Sequence, residues 1–263
     1  MSEYVHEIKE QPNDPLGGAS GEKRLFTVQY LGKANNPDFP FTVANEVVAT
    51  QIGIALGLNL PTVITHKAAG ETLALIQMVD REPSMQAPPP VTSQRLQDYV
   101  AEHPDEVHAA IIFDLFVANN DRAFGPERRN LAIDPEGRLQ LYDQGNACFY
   151  RHRPSADITA GVARLEAIEA DLTKLFDMDH KDNHYREFLT DRGLVRKWCD
   201  RIQQLPDFML EAAVDRIPKE LPRPDESERK RLVAFLVRRR SYLFEHIEKW
   251  KSHFGGLPKR GAS

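Results

Sequence analysis

Apolar and polar positions alternate with period two through RLFTVQYLG, residues 24–32. Phe26, Val28 and Tyr30 fall on one side and Thr27, Gln29 and Leu31 on the other, which predicts a β-strand. The period then changes. In TVANEVVATQIGIALGLNLP (42–61), Val43, Val47, Ile54 and Leu58 recur at helical spacing, and Gly57 and Pro61 supply stop signals. PTVIT (61–65) and ETLALIQMV (71–79) read as two further strands joined by a turn around Gly70. Ahead of all this, NDPLGGASGEK (13–23) holds three glycines in five positions and predicts a flexible loop. Residues 1–80 thus predict strand, helix, strand, strand.

A proline-rich stretch, REPSMQAPPPV (81–91), breaks the pattern and reads as a hinge or linker extending over 81–95. Helical patterns follow in SQRLQDYVAEH (93–103) and DEVHAAIIFDLFVANN (105–120). A hairpin interrupts them: NLAI and RLQLYD are predicted strands, and DPEG between them is a turn sequence. From about residue 160 the pattern is helical again, broken by PKELPRP (218–224) before a long final helix over 227–253. The expected fold is α+β and bilobal. A small sheet-rich lobe (1–80) and the hinge precede a larger helical lobe (96–263), and there is no internal repeat.

Composition narrows the function. With 41% apolar and 28% charged residues, 263 positions suffice for one large domain or two lobes. A net charge of -5 argues against wholesale binding to nucleic acid or an anionic membrane. No apolar run reaches the roughly 18 residues that span a bilayer, and MSEYVHEIKEQ lacks the basic start and apolar core of a signal peptide. Cys148 and Cys199 lie far apart without metal-ligand spacing, which predicts reduced thiols and a cytoplasmic location.

The densest chemistry lies in FVANNDRAFGPERRNLAIDPEGRLQLYDQGN (116–146). Asp121 ends a helix, Asn130 precedes the first hairpin strand, and Asp143 ends the second, so the hairpin returns Asn130 and Asp143 toward each other. Each residue alone is explained by capping or turn formation. Together they supply what phosphoryl transfer asks for: hard oxygen ligands for magnesium and a carboxylate to orient an attacking hydroxyl.

The strip ANNDRAFGPERRNLAI…LQLYDQGNACF resembles the catalytic core of HipA-like kinases and, more distantly, that of type II phosphatidylinositol kinases. The likeness extends to ANEVVATQIGIALGLNLP and to DRIPKELPRPDESERKRLVAFLVRRR, and so covers most of residues 20–245. It implies an ATP- and Mg²⁺-dependent kinase acting on a hydroxyl, with Ser/Thr of a protein as the expected acceptor and partner. Asp121 would be the catalytic base, in a loop with Asn119. Arg122 would contact a phosphate or brace that loop, and Asn130 and Asp143 would hold the metal. Gln77 and Met78 would lie near the adenine. Gly18 and Ser20, in the glycine-rich loop, would cover the phosphates, with Ser20 also a conceivable autophosphorylation site. AFGPERR looks like a local insertion relative to the family. Where the family has a strand lysine reaching the phosphates, this chain has Gln29. Lys33 shares a side with Gln29 if the strand continues, and two readings stand open: it replaces the lysine and pairs with Glu46, or it is an exposed loop residue. A pseudokinase that binds nucleotide or a partner, and a kinase for a lipid or small-molecule hydroxyl, are the alternatives.

Other features read as structural. FDMDHKDNHYREF (176–188) lacks the HExxH glutamate and the EF-hand glycine and reads as a polar turn. Arg238, Arg239 and Arg240 read as a solvated basic face behind Leu232, Phe235, Leu236, Leu243 and Ile247. Trp198 and Trp250 read as packing residues. No Walker A, GxSxG or GxGxxG motif is present.

Overall fold

The structure is a computed structural model and describes residues 4–5, 30–77, 93–122, 130–134, 136–175, 188–254 and 257. The N-terminal lobe is a four-stranded antiparallel sheet in the order β1-β2-β4-β3, formed by Tyr4–Val5, Tyr30–Ala34, Glu71–Gln77 and Val63–Ala68 respectively. β1 is an addition to the expected order, because a two-residue strand leaves no periodicity to read. Of the expected first strand only the end, β2, falls within the described residues. The β3–β4 turn carries Gly70 at φ +84°, as its sequence predicted.

Helix α1 (Thr42–Ala55) packs on this sheet. Val43 and Val47 meet Val63, Ala74, Ile76 and Leu31, while Ala44, Val48, Ala49, Ile52 and Leu56 face the main core. The helix is therefore buried on nearly every side, and of the single stripe expected from Val43, Val47, Ile54 and Leu58 it buries the first two. Ile54 is exposed and Leu58 lies past the helix end. A helix buried between two layers has no polar face to create a stripe.

The C-terminal lobe begins with α2 (Ser93–Glu102), which starts inside the segment expected to be hinge. α3 (Pro104–Val117) is the central element and is buried from Val107 to Val117. The hairpin β5 (Leu131–Ile133) and β6 (Leu139–Leu141) follows, with Gly137 at φ +80° in its turn. Of the remaining helices, α5 (Arg192–Gln203) and α7 (Glu226–Lys249) pack on α3, α4 (Gly161–Ala170) packs on α7, and α6 (Asp207–Asp215) packs on α1 and α7. His108 of α3 reaches the start of α5, its Nε2 accepting the N–H groups of Thr190 and Asp191 at 3.1 and 3.0 Å. Trp198 is 6% exposed and donates to Asp105 at 2.9 Å. Among the described residues no helix is long and apolar enough to cross a membrane.

The expected apolar face of α7 is buried, but the triple arginine beside it is not a solvated patch. Arg239 is 2% exposed, and its Nε donates to the Leu115 carbonyl at 2.7 Å. Arg238 pairs with Glu169 at 2.9 Å, and Arg240 binds Leu205 and Asp207. For Arg239 the reason is the end of α3, whose last carbonyls have no helical partner and lie too deep for water. Arg164 meets the same need, with Nη2 donating to Ala118 at 2.7 Å and Nη1 to Cys148 at 2.6 Å. FDMDHKDNHYRE (176–187) lies outside the described residues.

Gly53 shows how closely α1 approaches α3. A Cβ there would sit 2.6 Å from a Leu60 methyl and 3.2 Å from the Phe113 ring. Helix propensity alone favours alanine over glycine by about 1 kcal/mol, whereas overpacking costs about 1–3 kcal/mol. The contact should win, so Gly53→Ala is expected to lower the unfolding free energy by about 1 kcal/mol, read from the urea midpoint.

Candidate active site

The site is assembled from four places in the chain. β2 contributes Lys33, which stands opposite the buried Ala74 and so points toward α1. One turn into α1, Glu46 is 1% exposed and accepts Lys33 Nζ at 2.6 Å. The same Nζ lies 2.8 Å from Asp143 Oδ1. Lys33 is thus the paired lysine, and the exposed-loop reading is corrected. Burial alone would lower its pKa, but Glu46 and Asp143 together hold it well above the ordinary value. Burial pushes Glu46 up against the attraction of Lys33. Asp143 would also be raised by burial, yet Lys33 outweighs this and holds it down to about 2.

The second carboxylate oxygen of Glu46 accepts the Gln144 N–H at 3.1 Å. Its neighbour Asn45 spans the same loop, donating to Gly145 O at 2.7 Å and accepting Phe149 N–H at 3.3 Å. One helical turn therefore fixes residues 143–149. Asp143, Cys148 and Tyr150 adopt positive φ, as does Ala118 on the facing loop, and only Ala69 does so elsewhere among described non-glycine residues. Such conformations cost on the order of 1 kcal/mol or more each and persist where surrounding contacts impose them.

Arg122 joins the two loops from beneath. It is 1% exposed and pairs through Nε with Asp114 at 2.8 Å. Its Nη1 donates to Asn130 O at 2.6 Å and to Tyr142 O, and its Nη2 donates to Gln144 Oε1 at 2.7 Å. Every contact described for Arg122 is with the protein itself: Asp114, two loop carbonyls and Gln144. Burial pushes the Asp114 carboxyl up to about 7 against the pull of Arg122.

Asp121 follows Asn119, whose Oδ1 accepts the Asp121 N–H at 3.1 Å. Asn146 Nδ2 donates to Asp121 Oδ2, and Asn130 Nδ2 donates to the Asp121 carbonyl. Asn130 thereby keeps its own amide oxygen apart from that bond. Asn130 and Asp143 come together as the hairpin predicted, since Tyr142 N donates to Asn130 O at 3.0 Å. Asp143 commits Oδ1 to Lys33 and to the Gly145 N–H at 3.1 Å, while Oδ2 makes neither bond. A depressed carboxylate, 34% exposed, beside an amide oxygen is a hard-oxygen set that fits Mg²⁺. Among the described residues no group of three His, Cys, Asp or Glu is placed to hold a metal by itself.

Gln77 ends β4 opposite Tyr30, its N–H bonded to Thr62 O at 2.8 Å. Gln29, Met78, Gly18 and Ser20 lie outside the described residues. The sequence reading did not assign Asn45, Asp114, Gln144, Asn146 or Arg164. Only Asn45 left a signal, as the residue beside Glu46.

Two solved structures share the fold. The Helicobacter pylori proinflammatory kinase CtkA has a TM-score of 0.51 and 15% identity, over 94% of this chain and 96% of that one. HipA of Shewanella oneidensis MR-1, in a toxin–antitoxin complex with HipB and operator DNA, has a TM-score of 0.53 and 13% identity, over 85% of this chain and 60% of that one. Both neighbours are HipA-like kinases, and at these identities the likeness establishes the fold, as expected from the sequence. No family model matches the chain, and no curated protein matches it in sequence.

Arg122→Met should cost about 3–5 kcal/mol, because it strands a buried carboxyl and two loop carbonyls. Asp114→Asn should offset part of that loss, so the double variant should fall short of the sum of the singles by about 1–3 kcal/mol in a urea double-mutant cycle.

The depressed Asp143 contributes stability above pH ~4 that is lost as pH falls through about 2. Discounted for its exposure, this is about 1 kcal/mol. Urea midpoints between pH 5 and 2 should fall less steeply in Asp143→Asn.

Proposed function

We propose that this chain is an ATP- and Mg²⁺-dependent kinase that phosphorylates a hydroxyl, with Ser/Thr of a protein as the acceptor class. The observation that carries this reading is Lys33, held between Glu46 and Asp143 at 2.6 and 2.8 Å beside a braced loop that carries Asp121. Its fold neighbours are kinases, which supports the same class.

Asp121 takes the proton of the acceptor hydroxyl as its oxygen bonds to the γ-phosphorus and the bond to the β–γ bridging oxygen breaks. Asn146 steadies one oxygen of that carboxylate, and the other receives the proton. Lys33 places positive charge against the phosphate oxygens, while Glu46 fixes its ammonium. Asn130 and Asp143 would hold Mg²⁺, which would neutralise phosphate charge when bound. Arg122 acts through the loop backbone. Two buried thiols suit a reducing cytoplasm.

Purified protein incubated with Mg²⁺ and γ-labelled ATP should transfer label, to itself or to added protein. Asp121→Asn and Asp143→Asn should each lower the rate by about a hundredfold or more. Lys33→Met should lower kcat strongly while the protein remains folded. Mg²⁺-dependent nucleotide binding without turnover on proteins, inositol lipids and small alcohols would instead establish a nucleotide-binding pseudokinase. No binding at all would overturn the ATP-site reading.

A further inference from the structure

On the side of α7 that carries Arg239, a cleft of about 200 Å³ is lined by Glu169, Arg238, Arg239, Tyr242 and His246. Arg239, Tyr242 and His246 stand at i, i+3 and i+7, so they line one stripe of the helix. Three buried polar atoms of these residues have no hydrogen-bond partner: Arg239 Nη1, His246 Nδ1 and Glu169 Oε1. Arg239 is 2% exposed, and its Nε and Nη2 are both spent on the Leu115 carbonyl. Nη1 belongs to the opposite edge of the guanidinium. No carboxylate pairs with Arg239 among the described residues, and burial pushes its guanidinium down to about 9. Glu169 gives its other oxygen to Arg238 at 2.9 Å. Two guanidinium charges therefore meet one carboxylate, and the cleft is cationic.

An orphaned guanidinium N–H and an imidazole nitrogen able to carry a proton, on residues lining the same cleft as an orphaned carboxylate oxygen, define what fits. The donors call for an oxyanion, and the acceptor calls for an O–H on that same anion. The volume is below the roughly 300 Å³ at which pockets for organic ligands begin. We propose that this cleft is a binding site for hydrogen phosphate, separate from the ATP site. Arg239 Nη1 and His246 Nδ1 donate to its oxygens, and its hydroxyl donates to Glu169 Oε1. Sulfate, which has no hydroxyl at neutral pH, is rejected by Glu169.

Calorimetric titration with inorganic phosphate, against sulfate and chloride at matched ionic strength and without nucleotide, tests this. Wild type is expected to bind phosphate saturably at one site and sulfate about tenfold more weakly. His246→Leu should weaken phosphate about tenfold while its thermal midpoint without phosphate stays near wild type. Glu169→Gln, which adds a donor, should bring sulfate to the level of phosphate. Lys33→Met should bind phosphate as wild type does, and this holds whether or not the chain proves to be a kinase. Unsaturable binding, binding unchanged in His246→Leu, or binding lost in Lys33→Met would overturn the proposal. The last outcome would place the phosphate in the ATP cleft.

Discussion

A helix that ends inside a protein must find partners for its last carbonyls, and α3 finds them in arginine side chains. Arg239 takes Leu115 and Arg164 takes Ala118, while Arg122 binds the loop that continues from the helix. Each of these residues is at least 98% buried, and Arg122 and Arg164 each bind more than one backbone carbonyl. Planar, always-protonated donors suit this use, because a single arginine can hold two loops in fixed relation. Without them the residues after Val117 would face a choice between unsatisfied backbone and solvent. With them, Asp121 and Asp143 sit on loops that share one scaffold.

The second constraint comes from the other lobe. Asn45 and Glu46 are adjacent, and a helix sends adjacent side chains about 100° apart. Here both still reach the 143–149 loop, because that loop wraps around the first turns of α1. Glu46 divides its oxygens between Lys33 and the Gln144 N–H, so one buried carboxylate couples the sheet to the loop. The positive-φ residues of the loop are held by this wrapping and by the arginines below it.

The element order was legible because the sheet of the small lobe and the final helix follow simple periods of two and 3.6. The loop positions of Asp121, Asn130 and Asp143 were legible too, since short polar residues at element ends announce loops. What escaped reading depended on depth. α1 is buried on nearly every side, and its two-layer packing erases the stripe that periodicity needs. Arg239 looks like part of a surface run because charge implies solvent unless something buried requires it, and here that requirement is a backbone carbonyl 124 positions away. Asn146 and Gln144 gain their roles only from loop curvature, which no local pattern encodes. Lys33 was undecidable from the strand alone, because its pairing depends on where the sheet sets α1 relative to Asp143.

The attachment of α1 to the loop has a regulatory consequence. In a protein whose equivalent helix swings outward, activity can be throttled by breaking one exposed ion pair. Here the same swing would uncouple Lys33, strip the amide bonds of Asn45 and Glu46, and open the apolar seam of Phe41 on Phe149, whose rings lie 5.1 Å apart. α1 is thus held to the loop by several contacts at once, and for the kinase proposed above control would act on what arrives at the cleft rather than on this helix.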